Sequence, residues 1–137
     1  MSCHEIGHGM NSVVEEVVVL YDAGEIALEP AKKIIYKARR GVWFCDGNEY
    51  EAVECIEDRC GYCMKKAEPG KRLYNVYATK SYQSDYSGGR ERLKKLDGRL
   101  AHTYLCASCF DKLAPEILGD GVSAEEERKG IDEEYGG

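Results

Sequence analysis

The first strong pattern of apolar and polar positions lies in "NSVVEEVVVLYDAG", residues 11–24. Val13, Val17, Leu20 and Tyr21 recur at intervals of three and four, which lines one side of a helix. Ser12 followed three residues later by Glu15 forms a capping box, and Gly24 suits a helix C-cap. The pattern predicts a helix over residues 13–23 with that side buried. A second helix is predicted over 30–40 in "LEPAKKIIYKARRG", where Pro30 suits a first helical position and Gly41 follows the end. The short connection favours packing of the two helices. Farther on, "GVWFCDG" reads as extended. "DGNEYEAVECIED" is ambiguous, but its Glu and Ala content and the spacing of Tyr50, Val53 and Ile56 favour a third helix.

From Cys60 the pattern changes. "RLYNVYATKSY" and "RLAHTYLC" are rich in aromatic and β-branched residues, and the polar, Gly-containing sequence between them suits the tip of a long β-hairpin. A short helix is expected in that tip at "GRERLKKL". "CASCFDKLAPEIL" then reads as a helix with Phe110, Leu113 and Ile117 on one side, and Pro115 is expected to kink or divide it. The expected fold class is α+β: a helical N-terminal part over 1–59, a cysteine-bearing unit over 60–118 with a long β-hairpin and a C-terminal helix, and a tail over 119–137.

Charge changes the picture of that tail. The chain of 137 residues has a net charge of −6. Residues 116–137 hold eight acids against Arg128 and Lys129, which accounts for all of it and leaves 1–115 formally neutral. An acidic stretch with little apolar content buries too little surface to order itself, so a disordered, solubilising tail is expected. The alternative is a partner-binding or nucleic-acid-mimicking tail. No basic segment followed by an apolar run opens the chain, and "VVEEVVVLY" is short and broken by two glutamates. Neither a signal peptide nor a membrane span fits, so a cytoplasmic protein without a membrane partner is expected.

Seven cysteines in such a chain, four of them in two C-x-x-C pairs, suggest thiolate metal ligands rather than a disulfide framework. The pairs are Cys60-Gly-Tyr-Cys63 and Cys106-Ala-Ser-Cys109, with 42 residues between them. Two thiolates two residues apart on a tight turn take two corners of a tetrahedron, and two such pairs close it. Four soft anionic sulfurs favour zinc, with iron second. A closed site leaves no open coordination position, so one structural zinc on Cys60, Cys63, Cys106 and Cys109 is expected.

Other uses of these thiols fit less well. A redox dithiol of the thioredoxin kind needs a βαβ setting, which neither pair has. A rubredoxin-type iron centre usually has glycine after its knuckle cysteines, where this chain has Met64 and Phe110. Cys55-x4-Cys60-x2-Cys63 matches the first three ligands of plant-type ferredoxins, but a fourth ligand from Cys106 or Cys109 would leave its neighbour unexplained. Cys45 and Cys55 read as small core residues.

The order of pair, hairpin, then pair opening a helix resembles the treble-clef (zinc-ribbon-like) zinc fingers over residues 60–118. That resemblance implies a second pair in the first turn of the helix, where free N–H groups and the helix dipole stabilise thiolate charge. The 42-residue spacing is long for that family.

The opening "CHEIGH" contains His-Glu-x-x-His at 4–8, the zinc-protease string. A protease needs that string on a helix beside a sheet edge; only three residues precede His4, and Gly7 and Gly9 weaken a helix there, so no protease site is expected. Loss of Met1 would leave Ser2-Cys3-His4, whose amine, amides and imidazole suit square-planar Ni(II) or Cu(II), a possible second metal. "HE" at 4–5 followed by a helix with "VVEEV" is similar to the nickel chaperones of hydrogenase maturation, and that similarity implies nickel handling. Cys3, His4 and His8 with Cys45 are an alternative second zinc site.

Lys32, Lys33, Lys37, Arg39 and Arg40 fall on the second predicted helix with no acid among residues 31–41. The hairpin tip adds Lys80, Arg90, Arg92, Lys94, Lys95 and Arg99 among Tyr82 and Tyr86, diluted by Asp85, Glu91 and Asp97. On a shared face these would neutralise phosphates and stack bases; otherwise they coat solvent-facing surface. No nucleophile–base pair, phosphate-binding glycine loop or paired carboxylates point to an enzyme. The expectation is a zinc-stiffened adaptor or regulator that presents a surface to a protein partner or, alternatively, to nucleic acid.

Overall fold

The computed structural model describes residues 3–40, 42–45, 48–51, 58–96 and 98–135, with side chains for 12–38, 58–96 and 98–135. The chain divides into two compact units, Met1–Glu57 with Gly98–His102, and Asp58–Asp97 with Thr103–Gly137. Gly98–His102, which the sequence pattern assigned to the cysteine-bearing part, clusters with the helical unit.

In the first unit, α1 (Cys3–Asp22) and α2 (Leu28–Arg40) pack on each other, followed by an antiparallel pair β1 (Val42–Cys45) and β2 (Asn48–Glu51). Gly24 ends α1 as expected: at φ 76 it adopts the left-handed conformation, and the Glu25 N–H donates to the Leu20 carbonyl at 2.9 Å. The buried side differs in phase from the predicted one. Val14 and Val17 are buried with Ala31 and Ile35 of α2, whereas Val13 is exposed and Leu20 and Tyr21 are half-buried. Helix α1 also starts ten residues earlier than predicted and runs through His4–His8. Gly7 and Gly9 each cost about 1 kcal/mol, but elongating a helix already nucleated at Ser12 adds one hydrogen bond per residue. The expectation that no helix spans this stretch is therefore corrected.

The predicted third helix is corrected over residues 48–51. Residues 48–51 are strand, paired Val42 to Glu51 and Cys45 to Asn48, while 52–57 lie outside the described residues. The antiparallel backbone pairing with Val42–Cys45 outweighs the helical propensity of Glu.

The second unit holds β3 (Tyr74–Asn75), a 3-10 turn (Val76–Ala78), α3 (Lys80–Ser84), α4 (Tyr86–Lys94), β4 (Tyr104–Leu105), α5 (Ala107–Leu118) and α6 (Ala124–Tyr135). The expected hairpin pairing is present, Tyr74 with Leu105 and Asn75 with Tyr104, but its strands are two residues long. "VYATKSY" turns helical instead because Asn75 caps the 3-10 turn through the Tyr77 N–H and Thr79 caps α3 through the Tyr82 N–H. Helix α5 runs unbroken through Pro115, so the expected division does not occur; Pro115 stands one turn from the C-terminus and few hydrogen bonds depend on it. Phe110, Leu113, Ala114, Ile117 and Leu118 of α5 form the core with Met64, Val76, Leu105 and Ile131.

The acidic tail is folded. Its α6 buries Ile131, and three contacts hold its polar side: Tyr74 Oη donates to Asp132 at 3.1 Å, Arg72 donates to the carbonyls of Ile131 and Tyr135, and Arg128 pairs with Asp111 of α5. Specific partners supply what low apolar content does not. Among the described residues, no helix is long and apolar enough to cross a membrane.

Candidate metal centre

The first cysteine pair sits in a tight turn closed by its own backbone. The Met64 N–H donates to the Cys60 carbonyl at 2.9 Å, the Cys60 N–H to Lys65 at 3.1 Å, and Arg59 and Lys66 bridge the base of the turn. Closing so short a turn requires left-handed backbone at Met64, which has φ 59. Met64 stands where the rubredoxin comparison expects glycine, and its side chain is fully buried. Arg59 supports the same corner by donating from Nη1 to the Met64 carbonyl at 3.1 Å.

The second pair is brought in by β4 and α5. The Gly61 N–H donates to the Tyr104 carbonyl at 2.7 Å, which ties the first turn to the residue two before Cys106. Cys106 then caps α5 in extended conformation (φ −66, ψ 160), and Cys109 lies in the first turn of that helix. Cys106 makes no side-chain capping hydrogen bond, so its sulfur is not occupied by the helix end.

The four sulfurs, from Cys60, Cys63, Cys106 and Cys109, all lie within 4.8 Å of one another. A tetrahedral zinc bound to sulfur at about 2.3 Å places its ligands about 3.8 Å apart, so the cluster is close to the size of such a site. None of the four is in a disulfide. Cys60 is buried and the other three are half-buried.

The protonation of the cluster reflects this crowding. Burial pushes the Cys60 thiol up, but N–H groups of Cys63, Cys106 and Tyr62 outweigh it and hold Cys60 below the ordinary value; the Tyr62 N–H lies 3.4 Å from its sulfur. Burial raises Cys63, against the N–H of Lys65, and the charge of Cys60 raises it further. Cys109 is pushed well above the thiol range by burial, a hydrogen bond with Cys106 and the charges of its three neighbours. One thiolate is thus favoured in the bare cluster and further ones repel it. A divalent cation at the centre reverses the sign of these interactions.

The structure brings together all four sequence-predicted residues. Cys45 ends β1, but its side chain, with those of Cys3, His4, Glu5 and His8, lies outside the described residues, as do Met1, Ser2 and Cys55. The N-terminal metal sites and the ferredoxin spacing therefore fall outside the described residues. The expected basic helix face is corrected at Lys32, which is buried with Nζ 3.1 Å from Glu29; Lys33 and Lys37 are exposed, and the side chains of Arg39 and Arg40 are outside the described set. Sequence reasoning missed the supporting roles of Arg59, Met64 and Tyr104, which show no motif of their own.

No family model, curated protein or solved structure matches the chain. Function is therefore argued from the chemistry of the site.

Proposed function

We propose that this chain is a small binding module whose cysteine-bearing unit is held together by one structural zinc ion on Cys60, Cys63, Cys106 and Cys109. The observation that carries the reading is the approach of four thiols from two distant turns to within 4.8 Å of one another. Four sulfurs suit zinc, and a closed tetrahedron leaves no position for a substrate, so the metal stabilises and does not catalyse. The short strands and small core give that role its weight, since structural zinc contributes about 10–16 kcal/mol to the folding of small units. Cys106 at the N-cap and Cys109 in the first turn of α5 support the treble-clef resemblance. In this reading the protein is an adaptor or regulator of a thiol-reducing compartment such as the cytoplasm. The His-Glu-x-x-His string is not a catalytic site in it.

Elemental analysis of protein purified without added metal tests this. One zinc per chain, lost on chelation together with the fold of the second unit, is the expected result. Stoichiometric iron, or disulfides within each pair of the freshly isolated protein, would overturn it.

A further inference from the structure

We infer that the segment from Val76 to Leu96 of the cysteine-bearing unit is a landing surface for single-stranded nucleic acid. The inference rests on the reading of the chain as a binding module and names the partner of that module. Its core is a run of three tyrosine rings. Tyr77 of the 3-10 turn and Tyr82 of α3 have centroids 5.0 Å apart, and Tyr82 and Tyr86, the first residue of α4, are 5.8 Å apart in an edge-to-face arrangement. Tyr82 is 4 % exposed, whereas Tyr77 and Tyr86 on either side of it are 38 % and 57 % exposed. One ring anchors the group and two present themselves to solvent.

The mounting is rigid. Gly89 lies so close to Tyr82 that a Cβ there would stand 2.6 Å from the ring, and Gln83 Nε2 donates to the Tyr77 carbonyl at 3.3 Å. Asp85 caps α4 through the Gly88 N–H. Rings held in place lose little freedom when a base stacks on them, which favours affinity.

The charge around the rings selects the partner. The segment has five cations, Lys80, Arg90, Arg92, Lys94 and Lys95, against Asp85 and Glu91. Both acids are already engaged, Asp85 by Arg92 at 3.2 Å and Glu91 by Lys94 at 3.2 Å. Lys80, Arg90 and Lys95 are exposed and form no ion pair among the described residues. The Arg90 guanidinium lies over the Tyr86 ring, 5.6 Å from its centroid, so a cation and a largely exposed aromatic ring are paired at the surface. Glu127 of α6 also borders the segment and accepts hydrogen bonds from Ser81 Oγ and the Lys80 N–H. Surplus positive charge beside exposed aromatic rings fits phosphates joined to unstacked bases. A duplex keeps its bases stacked, and an apolar peptide would leave the cations without partners.

The test is fluorescence anisotropy with a labelled oligouridylate of about twelve nucleotides, titrated with the full chain as purified, at about 50 and 200 mM salt. Saturable binding that weakens at the higher salt is expected. Tyr86→Ala should weaken it by about 5- to 100-fold and Tyr86→Phe should leave it nearly unchanged, because stacking does not need the hydroxyl. Exchanging Lys80, Arg90 and Lys95 for Gln should flatten the salt dependence. Circular dichroism and zinc content of each variant show whether a loss of binding is a loss of fold. No binding, binding that Tyr86→Ala leaves intact, or a peptide ligand at these tyrosines that the oligonucleotide fails to displace would overturn the inference. Zinc content is read on the same samples, so zinc-loaded protein that ignores the oligonucleotide refutes the surface alone, and zinc-free protein refutes the metal reading alone.

Discussion

Arg128 of α6 places Nε 2.7 Å from Oδ1 of Asp111 and Nη2 3.0 Å from Oδ2, a two-pronged pair that fastens the acidic helix to α5. The hydrogen bonds that Arg128 donates to Asp111 are the main cause of its raised pKa, and the same guanidinium lies 5.8 Å from the Tyr74 ring centroid. Both partners are partly exposed, so the pair is worth about 1 kcal/mol rather than the several of a buried one. Arg128→Ala is expected to speed amide exchange throughout Ala124–Tyr135 while α5 keeps its protection. Equal exchange in the variant and the parent protein would show that Ile131 and the Arg72 and Tyr74 contacts hold α6 without this pair.

Two glycines are expected to respond in opposite directions to alanine. A Cβ on Gly89 would meet the Tyr82 ring at 2.6 Å, and Tyr82 is buried and has little room to move, so Gly89→Ala should cost about 1–3 kcal/mol. A Cβ on Gly130, within α6, meets nothing within 4 Å, and alanine is the better helix former, so Gly130→Ala should stabilise by about 0.5–1 kcal/mol. Urea unfolding of the two variants checks both signs.

Met64 sets a backbone cost against a packing gain. Its left-handed φ of 59 costs about 1–2 kcal/mol relative to glycine, whereas deleting a fully buried methionine side chain costs about 2–5 kcal/mol. Met64→Gly is therefore expected to destabilise the protein, by up to about 4 kcal/mol net. A gain in stability would mean that the side chain contributes less than the backbone strain.

The thiols fix how stability varies with pH, with opposite signs in the two metal states. Without metal, Cys63 and Cys109 lie above the ordinary thiol value of 9.0. Their contribution is present below that value and lost as pH rises through the raised ones. Cys60 is lowered, so its contribution is present above 9.0 and lost as pH falls through its lowered value. Above 9.0 the Cys60 contribution no longer changes and only the raised thiols act, so metal-free protein in which the second unit stays folded should unfold at lower urea as pH rises beyond 9.0. Zinc-loaded protein should behave the other way, losing stability on acidification as protons displace the metal. Urea midpoints across pH, with and without chelator, check the crossing.

What was legible in the sequence follows how local each signal is. Gly24 and the 3.6-residue spacing of Phe110, Leu113 and Ile117 act within one turn, and the helix end and the helix face they mark can be read directly. The cysteine pairs were readable because ligand spacing within a turn is itself local, although the 42 residues between pairs say nothing about their meeting. Residues 48–51 misled because Glu-rich composition favours a helix while the decisive term, pairing with Val42–Cys45, is not local. Asp46-Gly47, the dipeptide that two-residue hairpin loops favour, was the signal to weigh there. The acidic tail misled for a related reason: composition counts its charges but not Arg72, Tyr74 and Asp111, distant in sequence, that receive them.

X-ray absorption at the zinc edge of the isolated protein tests the central claim most directly. The expected spectrum fits four sulfur neighbours at about 2.3 Å and no nitrogen or oxygen, and Cys109→Ser should replace one sulfur with a shorter oxygen distance. A first shell containing nitrogen or oxygen in the unaltered chain, or fewer than four sulfurs, would contradict it.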